Sequence, residues 1–358
     1  MATKTSSQMK LELVNRVTPE NAVSVRIRGS NDVSIYANAI RRVLLEEIPY
    51  VGFDAMNRAN SNFKKNTTLF TDEFLRLRLA MIPLSLSRGE IERVSTAEYR
   101  WVNGVTPIFE LETKHTTSVP KIRAVYSDEM KAKLAGHIVK PGAKEDSLGI
   151  GYDTVSKEYP ILAKLRTNDE LSIHGVVQIG TGRTHAGFSP IGGIGYERRH
   201  DGKDIILHVD ANNALNPTAI QHVNDALYWA QRYLHDFCRE LNDTPVMIDP
   251  TNSTVTFTFK NGNETRAGVI ISEVRKILGD RGFASHRSPH PLIPTKEYIL
   301  RPPNKKMKSE QKLKEWSMRL LHKAAKEAIS NFDGLRKNLM ETNSQRDWSP
   351  TIADGLAR

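Results

Sequence analysis

The chain holds 358 residues, with 51 Lys and Arg against 41 Asp and Glu for a formal charge of +10, and a single cysteine, Cys238. One thiol excludes a disulfide framework and a thiolate zinc or iron–sulfur site, which need several cysteines at short spacing. His-only metal sites stay open. No apolar run approaches the ~18 residues of a membrane span, and residues 1–8 lead into no apolar signal core, so an intracellular, reducing compartment is expected.

In chain order, Val23-Ser24-Val25-Arg26-Ile27-Arg28 alternates with period two, and residues 29–32 turn. Ile35, Ala39, Ile40, Val43, Leu44 and Ile48 then recur at helical spacing until Pro49. On that helix Asn38, Arg41, Arg42 and Leu45 fall at i, i+3, i+4 and i+7, a second face opposite the apolar stripe. Two guanidinium groups flanking an outward leucine fit a partner surface, and fit equally a solvated face with one stray apolar residue. Residues 87–159 carry balanced charge and short alternating runs, and read as an inserted subdomain. Strand pattern resumes at 161–165 and 171–177, which makes the first module discontinuous.

A long amphipathic helix follows, with Asn216 as N-cap, Pro217 at N1 and the stripe Ile220, Val223, Leu227, Leu234, Cys238 and Leu241. After a connection at 243–253, Val255-Thr256-Phe257-Thr258-Phe259-Lys260 alternates and Asn261-Gly262-Asn263 turns. Ala267, Ile270, Ile271, Val274, Ile277 and Leu278 recur helically until Gly279, so the strand–turn–helix unit appears twice. The Pro302-Pro303 pair leads into a last helix with the stripe Leu313, Trp316, Leu320, Ala324, Ala328, Phe332, Leu335 and Leu339. Segment 301–326 holds nine Lys and Arg against two Glu and rides on this helix, as a solvated face or as a phosphate-binding surface. The pattern predicts an α+β fold of two related modules, 9–86 with 160–242 and 254–341, paired within one chain, and a polar tail at 342–358.

The run Asn38-Ala39-Ile40-Arg41-Arg42-Val43-Leu44-Leu45-Glu46-Glu47-Ile48-Pro49 closely resembles the first-helix motif of the alpha-like subunits of multisubunit RNA polymerases: bacterial alpha, the archaeal D polypeptide and the third-largest eukaryotic subunit. Residues 66–84, with Asp72-Glu73-Phe74-Leu75 and Ile82-Pro83-Leu84, and residues 180–190 agree with that family in order and spacing. Residues 254–260, the helix after them and Ser288-Pro289-His290-Pro291-Leu292 resemble the small alpha-like partner, the archaeal L polypeptide and its eukaryotic equivalent. Thr265-Arg266-Ala267-Gly268-Val269 departs from that partner's Thr-Leu-Gly-Asn stretch, and the cluster-binding cysteines of some large partners are missing. Both partners joined in one chain resemble the fused subunit in polymerases of large DNA viruses, for which host cytoplasm, virus factory or virion would be the location.

The resemblance implies a pseudo-heterodimer of alpha-like dimerisation modules serving as a non-catalytic assembly platform, with no cofactor and no metal. Its partners would be the largest, second-largest and smaller polymerase subunits. DNA would be met only through the assembled enzyme, and no membrane or separate small alpha-like partner is implied. Contact with the second-largest subunit would fall on Asn38, Arg41, Arg42 and Leu45, and on Gly182, His185, Phe188 and Pro190, with His185 or Phe188 at the tip of a glycine-rich loop. The intramolecular interface would draw on Val43, Leu44, Leu227, Leu234, Ile270, Val274, Leu313, Trp316, Leu320 and Phe332. Phosphoryl transfer would rest on aspartates of the largest subunit; Asn331-Phe332-Asp333-Gly334 offers a single carboxylate on an amphipathic helix. The alternatives are a stand-alone basic nucleic-acid-binding protein acting through 301–326, and an enzyme built on His185.

Overall fold

The computed structural model describes residues 9–17, 21–58, 60–85, 91–93, 99–101, 106–117, 121–134, 137–139, 149–151, 156–211, 218–303, 307 and 309–343. Strands β1 (Lys10–Val17) and β2 (Ala22–Arg28) pair antiparallel, and the period-two pattern buries Val23, Val25 and Ile27 on one face of β2. Helix α1 (Ser34–Glu46) starts where the Asp32 carboxylate accepts the Ser34 N–H at 2.7 Å, and it buries Tyr36, Ala37, Ala39, Ile40, Val43 and Leu44. It runs into β3 (Pro49–Phe53), which is buried throughout, then β4 (Asn62–Asn66) and α2 (Asp72–Ala80). Thr71 caps α2, with Asp72 and Glu73 in its first turn favoured by the helix dipole.

The middle of the chain supplies β5 (Ile108–Lys114), β6 (Ile122–Tyr126), β7 (Lys131–Leu134), β8 (Ile161–Arg166) and β9 (Glu170–Thr181). Strand β9 pairs with β3, β4 and β5; β7 adds to β5, and β8 pairs with β6. Within 87–159, residues 108–114, 131–134 and 137–139 therefore belong to the sheet built on β9, and Phe109, Leu111, Val125, Met130, Ala132 and Ile150 share a hydrophobic core with 50–84 and 162–177, while 91–93 and 99–101 pair only with each other. Each strand is too short to enclose a core, and β5 fills its ladder on β9. Strands β10 (Ile191–Arg199) and β11 (Asp204–Ala211) then return to the first sheet, whose order is β1-β2-β11-β10, with Val25 opposite Leu207 and Ile27 opposite Ile205.

Helix α3 (Ala219–Glu240) is capped by Thr218 in a capping box with Gln221; Asn216 and Pro217, expected at this cap, lie outside the described residues. The expected connection at 243–253 contains β12 (Val246–Asp249), an edge strand of the next sheet, because Val246 and Ile248 pack on the core. Strand β13 (Thr254–Phe259) and helix α4 (Glu264–Leu278) follow. Asn263 caps α4, and Gly279 ends it at φ +59°, a left-handed conformation costly for residues bearing a Cβ. Strands β14 (Phe283–Arg287) and β15 (Lys296–Arg301) complete the sheet β12-β13-β15-β14. Helix α5 (Glu310–Asn343) closes the described chain; of the expected tail, 344–358 lie outside it.

Segment 301–326 is thus not one helix: Arg301 ends β15, and α5 starts nine residues later at Glu310. The buried face of α5 is also wider than the expected stripe, taking in Ser317, Leu321 and Ala325 as well. Width follows from neighbours on several sides, since α5 packs against α3, α4 and β1. Residues of β1, β2, α1, β11, α3, β13, α4, β15 and α5 form one continuous hydrophobic cluster, so both four-stranded sheets share a core.

Candidate functional site

The C-terminal turn of α1 and the loop after β9 meet face to face. A Cβ on Gly182 would stand 1.9 Å from the Leu45 carbonyl oxygen, and one on Gly187 would stand 2.1 Å from the Ala80 carbonyl oxygen. The loop is therefore wedged between the ends of α1 and α2, and its glycines serve approach to this chain's own backbone. Phe188, expected at the exposed tip, is buried with Pro190. Its ring lies over Gly180 and Gly52, where a Cβ would come within 2.6 and 2.9 Å. Two facing residues without side chains leave a slot that an aromatic ring fills, and burying the ring removes it from water. His185 is half-buried, and its Nδ1 accepts the Gly187 N–H at 3.0 Å.

The second face of α1 is half-buried as well. Arg41 donates to the Asn38 side-chain oxygen from Nε at 3.1 Å and from an Nη at 3.0 Å. Arg42 reaches off the helix to Thr265 at the start of α4, Nε to Oγ1 at 2.9 Å, and to Glu46 at 3.1 Å. Leu45, expected outward, packs partly on the main core. Of the four, Arg42 and Leu45 join α1 to its own neighbours, while Asn38 and Arg41 bond to each other along the helix.

A carboxylate outside the expected contact residues lies at the centre of this corner. Glu47 is 8% exposed and accepts from three elements: Arg183 of the loop, the Tyr233 hydroxyl of α3 at 3.0 Å, and the Asn263 side-chain amide at 3.0 Å. Asn263 at the same time caps α4 through its oxygen, accepting the Arg266 N–H at 3.1 Å. Loop, α1, α3 and α4 thus converge on one anion, which is satisfied despite its burial. The motif contains Glu47, but nothing in its spacing says that Arg183 and Asn263, so distant in sequence, come within reach.

A second polar junction lies deeper. Tyr36 of α1 donates its hydroxyl to Glu273 of α4 at 2.6 Å and accepts from the Asn331 amide of α5 at 2.8 Å, with Lys276 pairing Glu273 at 2.7 Å. Burial first, and then the Glu273 charge, pushes the Tyr36 phenol well above its ordinary range, so it stays a donor. Of the residues expected at the intramolecular interface, Val43, Leu44, Leu227, Leu234, Ile270, Val274, Leu313, Leu320 and Phe332 are buried in the shared cluster, and Trp316 is half-buried at its margin. Cys238, on the expected stripe of α3, is half-buried. Phe332 packs on Tyr36 with ring centroids 5.0 Å apart, and Asp333 pairs Lys337 at 2.7 Å.

No group of three or more His, Cys, Asp or Glu placed to hold a metal ion occurs among the described residues, and no described helix is long and apolar enough to cross a membrane. No protein-family model matches the chain. Among curated proteins it is 27% identical over 198 residues to a subunit 3 of DNA-directed RNA polymerases II, IV and V from Arabidopsis thaliana, covering 52% of this chain and 55% of that protein. It is also 27% identical over 174 residues to the RNA polymerase II subunit rpb3 of Dictyostelium discoideum, covering 48% and 52%. Similarity to subunit Rpo3 of the Pyrococcus horikoshii polymerase is 28% over 185 residues, covering 51% and 57%. The chain spans about half the length of the curated relatives it matches.

Proposed function

We propose that this chain is a non-catalytic assembly platform of a multisubunit DNA-dependent RNA polymerase, in which the equivalents of the large and small alpha-like partners are fused as one intramolecular pseudo-heterodimer. The observation that supports the reading best is the shared core. Two strand–turn–helix units, β2 with α1 and β13 with α4, bury their apolar faces together with α3 and α5, which is how an obligate interface is built. Similarity to the polymerase subunits named above supports the assignment from an independent direction. Fusion has a physical consequence: association becomes intramolecular at an effective concentration near ~1 mM for a short connection, and the stoichiometry is one to one.

In this proposal the corner where α1 meets the 182–190 loop receives the second-largest subunit, and the largest subunit and smaller ones gather on the same platform. The source would be a large DNA virus, with the enzyme in the host cytoplasm or a virus factory. Asn38 and Arg41 are the better docking candidates, because Arg42 is engaged with Thr265 inside the chain. Affinity purification of the tagged chain from its native source, followed by mass spectrometry and a templated RNA synthesis assay, tests the reading. Two very large subunits and RNA synthesis should co-elute, and Asn38→Ala with Arg41→Ala should release the second-largest one. Recovery of the chain alone would overturn the proposal.

A further inference from the structure

We propose that the outer groove between α3 and α5 binds the phosphate backbone of a nucleic-acid strand. The groove is lined by Tyr228, Arg232 and His235 of α3 and by Lys326, Ser330 and Arg336 of α5, and it continues along α5 past Lys323, His322 and Arg319. Arg319, Lys323 and Lys326 fall at i, i+4 and i+7 on α5, with His322 between them at i+3, so they form one row. From Arg319 to Arg336 that row runs roughly 25 Å at ~1.5 Å per residue.

The acids along it are few and partly engaged: Asp333 pairs Lys337, and Glu315 at the row's end pairs Arg319. Glu327 is the other acid of the lining. Lys323 and Lys326 are exposed and have no carboxylate within ion-pair distance among the described residues. Arg232 carries a solvent-shielded Nε with no acceptor there, while Arg336 is held in place by the Asn224 oxygen at 3.0 Å and the Tyr228 ring at 5.4 Å. Lys323 and Lys326 thus present positive charge that no carboxylate of the described residues neutralises at ion-pair distance.

Two observations select phosphates over an acidic protein segment. Peptide docking in a helical groove draws its affinity from apolar anchors, yet none of the large exposed hydrophobic side chains among the described residues lies on α3 or α5. A row of flexible cations on an open surface instead suits a polyanion held by charge, with affinity set by counterion release. The sequence alone hides this site, because 301–326 marks only one wall and Arg232 and His235 come from the other helix. The inference does not depend on the docking proposal, since it concerns the isolated chain and a different face.

The test is fluorescence anisotropy with the purified full chain and labelled 20-nucleotide single strands and 20-base-pair duplexes of mixed sequence, titrated between 50 and 200 mM KCl. The triple variant Arg232→Glu, Lys323→Glu, Lys326→Glu should bind ~10-fold or more weakly, with the salt slope smaller by about 2.7 on the duplex, at ~0.9 for each phosphate no longer neutralised, and by about 2.1 on the single strand, at ~0.7. A control with three exposed lysines reversed elsewhere, Lys64→Glu, Lys121→Glu and Lys131→Glu, has the same net charge and should retain the affinity. Circular dichroism and thermal midpoints establish that both triples fold. Absence of binding by the unaltered chain at 50 mM KCl, or equal loss in both triples, overturns the proposal. Tighter binding of a poly-glutamate peptide than of the strands at matched charge would overturn it in favour of an acidic protein partner.

Discussion

Gly182→Ala probes the wedge between the loop and α1 most directly. The new Cβ would stand 1.9 Å from the Leu45 carbonyl oxygen and 3.0 Å from its carbon, whereas ordinary contact begins at 3.4 Å, so the two backbones must part by about 1.5 Å (3.4 − 1.9). No rotamer change relieves the clash, because both obstructing atoms belong to the main chain. Parting them breaks the Arg183 N–H to Glu46 carbonyl bond of 3.2 Å and draws Arg183 away from Glu47. Overpacking costs ~1–3 kcal/mol and the lost hydrogen bond ~0.5–1.5; the Arg183 ion pair adds little because that side chain is half exposed. The sum is ~1.5–4.5 kcal/mol for loop closure.

Gly195→Ala is the matched control, since a Cβ there meets nothing within 4 Å and surface changes stay within ~0.5 kcal/mol. Urea titration of both variants, with hydrogen–deuterium exchange of the peptide covering 180–190, separates them. Gly182→Ala should lower the midpoint and speed exchange in that peptide by roughly 10-fold or more, as ~1.5 kcal/mol at 1.4 per decade requires. If the two variants coincide in both measurements, the close approach of the loop to α1 is wrong.

Three further outcomes are expected. Leu227→Ala, at a fully buried position where α3 joins the shared core, should cost ~2–5 kcal/mol in urea unfolding, and a cost under ~1 would contradict its place there. Tyr36→Phe removes the hydroxyl between Glu273 and Asn331 and should cost ~1–3 kcal/mol, while Tyr196→Phe, at an exposed tyrosine, should leave stability unchanged. Side-chain hydrogen bonds from Lys114 and then Lys65 hold Glu170 down to about 2, against an ordinary 4.5. A folded value below the unfolded one gives stability that is complete above about pH 5 and is lost as pH falls toward 2. Glu170→Gln should therefore flatten the acid side of the stability profile, and an unchanged slope would remove Glu170 as its source.

Local pattern made much of the fold legible. Alternation in 23–28 and 255–260 placed β2 and β13, and helical recurrence placed α1, α4 and the buried stripes of α3 and α5, because those periods are set by residues a few positions apart. Where the structure departs from the local pattern, the deciding contact is remote in sequence. The segment 87–159 looked separate because its strands are short, yet β5 finds its partner in β9 about sixty residues on. Residues 243–253 looked like a connection because only four of them form a strand, and that strand is held by β13. Phe188 looked like an exposed tip because a glycine-rich loop normally lies on the surface, and only the pairing of β3 with β9 brings Gly52 and Gly180 together to make its slot.

By itself, then, the amino-acid order determined the type of each long element, the face it buries and the repetition of one strand–turn–helix unit, since all three follow from spacing along one chain segment. Tertiary structure alone decided that Glu47 collects Arg183, Tyr233 and Asn263, that Tyr36, Glu273 and Asn331 meet, and that α3 lends Arg232 to the groove beside α5. Each of these joins side chains from different elements across long sequence separations. No periodicity encodes such meetings; they arise from how the apolar faces of sheets and helices close on one another, which fixes the polar groups at their edges within hydrogen-bonding distance.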